Sequence, residues 1–125
     1  MYVRADFLAS AYRTNEIKAD SQYKGKRLDV EGRVRRIAVI LGKPVIILQG
    51  AGFGEDVQVA LDPSAVDQAS ALKPGTSVVL NAACNGAGAV GGVLLSEGMF
   101  TPVEAMRQRY PSLFDKRGRR LGSRD

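Results

Sequence analysis

The sequence contains no histidine and a single cysteine, Cys84. Without histidine the commonest metal ligand and general base are missing, so zinc sites of the usual spacing and histidine-based triads are excluded. The lone cysteine excludes an intramolecular disulfide. With no histidine to activate it, Cys84 lies near the end of an apolar strand pattern and reads as a packed small hydrophobe. No apolar run approaches the ~20 residues that span a bilayer, and Arg4 and Asp6 interrupt the apolar residues that a secretory signal would keep unbroken. A cytoplasmic protein without a membrane span is expected. The carboxylate pairs Glu55-Asp56 and Asp29/Glu31 fall in a turn and on the outer face of a strand, where they should be solvated. No acid/base constellation, metal cage or small-molecule cofactor site emerges, so an enzyme is not expected.

What is present suffices for one domain. A chain of 125 residues, 45% hydrophobic and 25% charged, has ordinary globular values and can bury a core without metal or disulfide. Its charge is unevenly placed. Residues 1–106 carry 11 basic and 11 acidic side chains and so balance, whereas seven basic residues from Arg107 onward face only Asp115 and Asp125. The net charge of +5 therefore belongs to the C-terminal end.

Hydrophobic spacing then gives the elements. Leu8, Tyr12, Asn15, Ala19 and Tyr23 form one stripe of an amphipathic helix over about residues 6–23, ended by Gly25. From Arg27 the period is two, with Leu28, Val30, Gly32 and Val34 on one face and Arg27, Asp29, Glu31, Arg33 and Arg35 on the other. Arg36 breaks this alternation, and Gly32 lies mid-strand; both indicate a bulge or bend. After a turn at Gly42-Lys43, residues 44–49 read as a strand apolar on both faces. The glycine-rich stretch at residues 50–56 leads into a third strand, residues 57–62. Because that stretch joins two strands and opens no helix, it reads as a hairpin loop and not as a phosphate cradle. Asp62-Pro63 starts a short helix with an N-cap acid and a proline at the first helical position. Pro74-Gly75 marks a turn, and two further strands, residues 76–84 and 92–100, are joined by a flexible connection. Thr101 and Glu104 have the spacing of a capping box for a terminal helix that ends near Arg109, before Pro111.

Five strands with a helix between the third and fourth give a mainly β fold, in the order of a five-stranded OB-fold Greek-key barrel with an N-terminal helix, a short helix between strands 3 and 4, and a C-terminal helix. An open antiparallel α+β sheet also fits. The mid-strand glycine and the broken alternation favour the barrel. The expected organisation is an N-terminal helical segment over residues 1–26, the barrel over 27–100, a C-terminal helix over 101–114 and a basic flexible tail over 115–125.

The series Asn15-Glu16, Ala19-Asp20, Tyr23, Gly25-Lys26 and Val30, Gly32, Val34 resembles the tRNA-anticodon-binding-like family of OB folds. So does the later series Leu72, Gly75, Cys84 and Gly86, and the resemblance covers about residues 12–100. It implies an OB barrel behind an N-terminal helix and says little of activity. Family members often carry a second cysteine near the position of Gly98, which this chain lacks.

A nucleic-acid site on an OB barrel needs cations for phosphates and aromatic faces for bases. Lys24, Lys26, Arg27, Arg33, Arg35, Arg36 and Lys43 are the candidate cations of the body, and Lys116, Arg117, Arg119 and Arg120 those of the tail. Residues 44–49 and 56–62, the strands that usually form the stacking platform, contain no aromatic residue. Phe53, in the turn between them, is the one candidate. Binding would then rest on phosphate contacts and be salt-sensitive. The competing reading is a protein-interaction or assembly module that uses the apolar second strand and the basic tail, with a protein partner or a second copy of the chain. Asn15 and Asp20 read first as groups that satisfy local backbone or pair with a local base.

Overall fold

Asn15 breaks the N-terminal helical stretch in two. Its extended backbone ends α1 (Ala5–Thr14), and its Oδ1 accepts from the Lys18 amide at 3.1 Å to cap α2 (Glu16–Tyr23). The continuous stripe expected over residues 6–23 is therefore two helices, because an asparagine is worth more as a cap than as a mid-helix polar residue. Leu8, Tyr12, Ala19 and Tyr23 are buried as expected, while Asn15 is exposed.

The structure is a computed structural model that describes residues 1–52, 55–89 and 91–122. Its single sheet has six strands, one more than expected: β1 (Tyr2–Arg4), β2 (Arg27–Ile40), β3 (Lys43–Leu48), β4 (Val57–Leu61), β5 (Ser77–Ala87) and β6 (Val93–Phe100). The added strand, β1, runs parallel to the first part of β2, with Val3 opposite Val30. The other five pair in the order β2-β3-β4-β6-β5, and β5 pairs back with β2, so their ladders close a ring. The β4–β6 pair is parallel; the rest of the ring is antiparallel.

The long β2 reaches both neighbours because it bends. Its register with β3 shifts between Val34 and Arg36, leaving Arg35 as the extra residue, where the sequence breaks alternation. Gly32 serves a different need. A Cβ there would stand 2.8 Å from the Ala5 Cβ, so the missing side chain is what lets the start of α1 lie on the strand. Leu28, Val30, Ile46, Leu48, Val57, Val59 and Leu80 fill the ring and are fully buried. Each removes about 1.5 to 3 kcal/mol worth of apolar surface from water.

Asp62 accepts from the Ser64 amide at 3.0 Å, and Pro63 opens a 3-10 turn that passes into α3 (Val66–Ser70). Strand β5 runs on to Ala87, so the β5–β6 connection is shorter than the stretch expected from its glycines. The C-terminal helix, α4 (Val103–Arg109), lacks the expected capping box. Pro102 is its N-cap residue with no side-chain cap, and Glu104 pairs with Arg107.

A cationic and aromatic surface under the C-terminal arm

Thr101 does not cap α4 because its hydroxyl is spent elsewhere, on Asp29 at 2.8 Å. Asp29 alternates outward on β2, yet it is 1% exposed. It accepts four further hydrogen bonds: one from Asn81 Nδ2 at 3.0 Å, two from Arg109 Nη1 at 3.0 and 3.1 Å, and one from the Tyr110 hydroxyl at 2.5 Å. Burial alone would raise the Asp29 carboxyl. The hydrogen bonds from Tyr110, Asn81, Thr101 and Arg109 outweigh it and hold the group below its ordinary value. Burial and the same bond push the Tyr110 phenol up to about 12. The expectation of a solvated Asp29 is thus wrong. An acid whose covering residues lie 52 or more positions later looks exposed to any local reading.

Two residues along, Glu31 is half-buried and bonds to both the Tyr2 hydroxyl and the Arg120 guanidinium. Burial, then the bond to Glu31, push the Tyr2 phenol up to about 12. Arg120 also donates to the Tyr2 hydroxyl at 2.9 Å and stands 5.8 Å from the Tyr2 ring centre. The Tyr2 and Tyr110 rings lie 5.7 Å apart. Residues 115–122, expected as a flexible tail, thus form an arm folded back on the ring. Asp115 Oδ1 accepts from the Arg117 and Arg119 amides at 2.9 Å each, Gly118 takes the left-handed backbone of a turn, and the Leu121 amide donates to the Leu113 carbonyl at 2.8 Å. Arg107 ties α4 to the arm through the Gly118 carbonyl at 2.8 Å, with its guanidinium 5.6 Å from the Phe114 ring centre.

Two clefts flank the arm. One, of about 630 Å³, has an apolar wall of Val79, Phe100, Val103, Met106 and Phe114 and a rim that includes Arg107, Arg117 and Arg119. The other, of about 520 Å³, is lined by Tyr2, Arg4 and Arg33 among others. Glu31, Ser77 and Arg120 border both. Among the described residues the side chains of Lys116, Arg117 and Arg119 make no hydrogen bond or ion pair.

The candidate cations do not share one surface. Lys24 and Lys26 flank the α2–β2 junction, the former with its stem against Gly86. Arg35 is spent on Asp56 at 2.9 Å, and Arg33 donates to the Gly75 carbonyl at 3.2 Å. Arg36 projects from β2 next to Ile47, and Lys43 sits at the start of β3. Phe53 lies outside the described residues. Of the carboxylates read as solvated in the glycine-rich turn, Glu55 pairs with Arg13 at 3.1 Å and Asp56 accepts from the Gly50 amide at 3.0 Å. Cys84 is buried with its sulfur 3.6 Å from the Tyr12 hydroxyl, and Asp20 lies against Gly86. Across β2, β3, β4 and β6 the outward row is Arg36, Ile47, Gln58 and Leu94, without an aromatic ring.

Sequence reasoning missed Tyr2, Arg4, Arg107, Tyr110 and Phe114. The signal was in the chain: from Arg107 to Arg120 the arginines are interleaved with Tyr110 and Phe114.

The family profile described as tRNA_anti-like matches residues 1–98. The chain belongs to the tRNA_anti-like family. No curated protein is similar enough to match. Among solved structures, a lipoprotein from Klebsiella pneumoniae subsp. pneumoniae, to which nucleic-acid binding is ascribed, superposes with a TM-score of 0.61 at 14% identity, over 81% of this chain and 92% of that one. A Leishmania major Friedlin chain ascribed as an aspartyl-tRNA synthetase gives 0.53 at 10% identity over 80% of this chain and 20% of its own. The S. pombe Stn1-Ten1 complex gives 0.45 at 18% identity over 69% and 71%. At these identities the first two show a common, OB-like fold. The tRNA_anti-like match ends at Gly98, so α4 and the arm, with Thr101, Arg109 and Tyr110, lie beyond it.

Proposed function

We propose that this chain is a non-catalytic OB-fold module, its five-strand ring the barrel, that binds single-stranded nucleic acid chiefly through phosphates. The observation that carries the reading is the set of cations without a side-chain partner among the described residues, Lys116, Arg117 and Arg119, beside Arg107 and Arg120, on a ring whose strand order is that of an OB fold. Most acidic groups near them are already engaged, Asp29 and Glu31 by Arg109 and Arg120 and Glu104 by Arg107, while Asp115 accepts from the Arg117 and Arg119 amides. An anion brought to this surface therefore meets a net positive charge, since within residues 115–122 Lys116, Arg117, Arg119 and Arg120 outnumber Asp115. Lys24, Lys26, Arg33, Arg36 and Lys43 add a dispersed cationic field around the ring.

Fluorescence anisotropy of a labelled oligothymidylate tests the proposal. Binding should appear at low salt and weaken steeply as salt rises, with a log–log slope of about −0.7 for each phosphate neutralised. No binding at low salt overturns it.

A second reading, a protein-interaction module, draws on the tip of the β2–β3 hairpin, where Val39 is 70% and Leu41 97% exposed. Light scattering that shows self-association, lost in Leu41→Asp, would favour it.

A further inference from the structure

The nucleic-acid reading leaves open which surface meets the strand. We infer that a single nucleotide of the strand enters the 630 Å³ cleft under the C-terminal arm, its base on the wall of Phe100, Met106 and Phe114 and its phosphate on Arg117 and Arg119. This rests on the function proposed above and gives it a place.

Three observations point there. The cleft lies within the about 300–1,000 Å³ of small-ligand sites, which are mostly apolar with a few placed polar groups. Its two ring walls, Phe100 and Phe114, supply the stacking surface that is missing from the outward row of Ile47, Gln58 and Leu94. Its rim carries two guanidinium groups without partners among the described residues, and Gln68 brings an amide with both donor and acceptor, suited to a base edge. An apolar wall alone would suit many occupants. A wall of rings under arginines that have no partner among the described residues suits a flat aromatic group bearing an anion.

The site is also held in place. Arg107 fixes the turn of the arm through the Gly118 carbonyl, and Arg120 fixes its far side on Glu31, so the rim does not have to be ordered by the ligand.

The test compares three variants of the full chain in the anisotropy titration. Arg117 and Arg119 use their backbone amides to form the turn, so the R117A/R119A double substitution leaves those bonds intact; it should weaken oligothymidylate binding at least about tenfold. Phe114→Leu keeps the apolar volume and removes the ring; a loss of about fivefold or more is expected at high salt, where stacking persists. R36A/K43A, on the β2–β3 side, should change affinity less than about threefold. Thymidine 5′-monophosphate should compete and inorganic phosphate should not, which separates a bound nucleotide from a bound anion. Wild-type binding at low salt that is unaffected by R117A/R119A and Phe114→Leu overturns the cleft and leaves the nucleic-acid reading standing. A wild type that does not bind at all overturns both. Displacement by poly-glutamate as effective as by oligothymidylate would show an acidic-protein surface and also overturn the inference.

Discussion

The outward side chains of β3 and β4 include Ile47, Gln58 and Ala60, flanked by Arg36; around the C-terminal arm the corresponding positions are Tyr2, Phe114, Arg117 and Arg119. Both regions stand on the same ring of strands. The first is made of short aliphatic and amide groups, and it lies inside the stretch matched by the tRNA_anti-like family. The second gathers half of the chain's eight Tyr and Phe residues, Tyr2, Phe100, Tyr110 and Phe114, and most of its unbalanced charge, and its arm lies outside that stretch. The family match therefore accounts for the scaffold, while most of the aromatic and cationic side chains of the proposed site lie on or beside a segment beyond it, and fold likeness alone says little of function.

The contrast can be broken most severely at Asp29. Asp29→Ala strips Arg109, Tyr110, Thr101 and Asn81 of their common acceptor. Arg109 is half-exposed, which softens the loss, so about 2 to 4 kcal/mol of stability should go, measured by urea denaturation. The same residue predicts an acid-side dependence. Its folded carboxyl titrates below the ordinary 3.8, so the unfolded chain takes up the proton first. The stabilisation is full well above about pH 4 and is lost as pH falls through the folded value. Denaturation midpoints at pH 6 and pH 3 should differ more in the wild type than in Asp29→Asn.

Arg120→Ala acts on the arm alone. It leaves Glu31 and Tyr2 to each other and should cost about 1 to 2 kcal/mol, with faster amide hydrogen exchange at Leu121 and little change at Ile46. Equal acceleration at both would mean that the arm and the ring are one cooperative unit. Gln58→Tyr tests the difference from the other side by placing a ring between Ile47 and Leu94. Because the strand is placed under the arm, oligothymidylate affinity should change less than about twofold in anisotropy. A gain of about fivefold would mean that strands also run across that face. The smallest effect is at the hairpin tip, where Leu41 holds a left-handed backbone (φ 51°) ahead of Gly42. Leu41→Asn, which accepts that geometry, should raise thermal stability by about 0.5 kcal/mol without altering binding.

What could be read from the chain was whatever depends on near neighbours. The alternation of Leu28, Val30 and Val34, the break at Arg36 and the Asp62-Pro63 start are local signals, and each appears in the fold. Strand β1 escaped notice because three residues carry no period, and its order comes from pairing with Asp29 to Glu31. Asn15 misled because the stripe of apolar spacing runs on across a cap as if the helix were continuous. The arm was illegible for another reason. DKRGRRLG is polar and without period, and it is held by Arg120 on Glu31, a contact between residues 89 positions apart. The candidate site inherits that difficulty: its cations are visible in the composition of residues 107–120, whereas the rings beside them, Phe100 and Phe114, come together only in the fold.

The hydrogen bonds around Asp29 also set an order of events during synthesis. Asp29 leaves the ribosome well before its partners, with Asn81 following 52 residues later and Tyr110 81 residues later. At about 5 to 20 residues per second this is a delay of about 4 to 16 s before Tyr110 arrives. Within that interval the carboxylate gains its neutral donors first, Asn81 and then Thr101, and its cationic partner Arg109 arrives only with Tyr110. A chain that ends before Arg109 would therefore bury the Asp29 carboxylate on neutral donors alone, without the guanidinium that balances its charge.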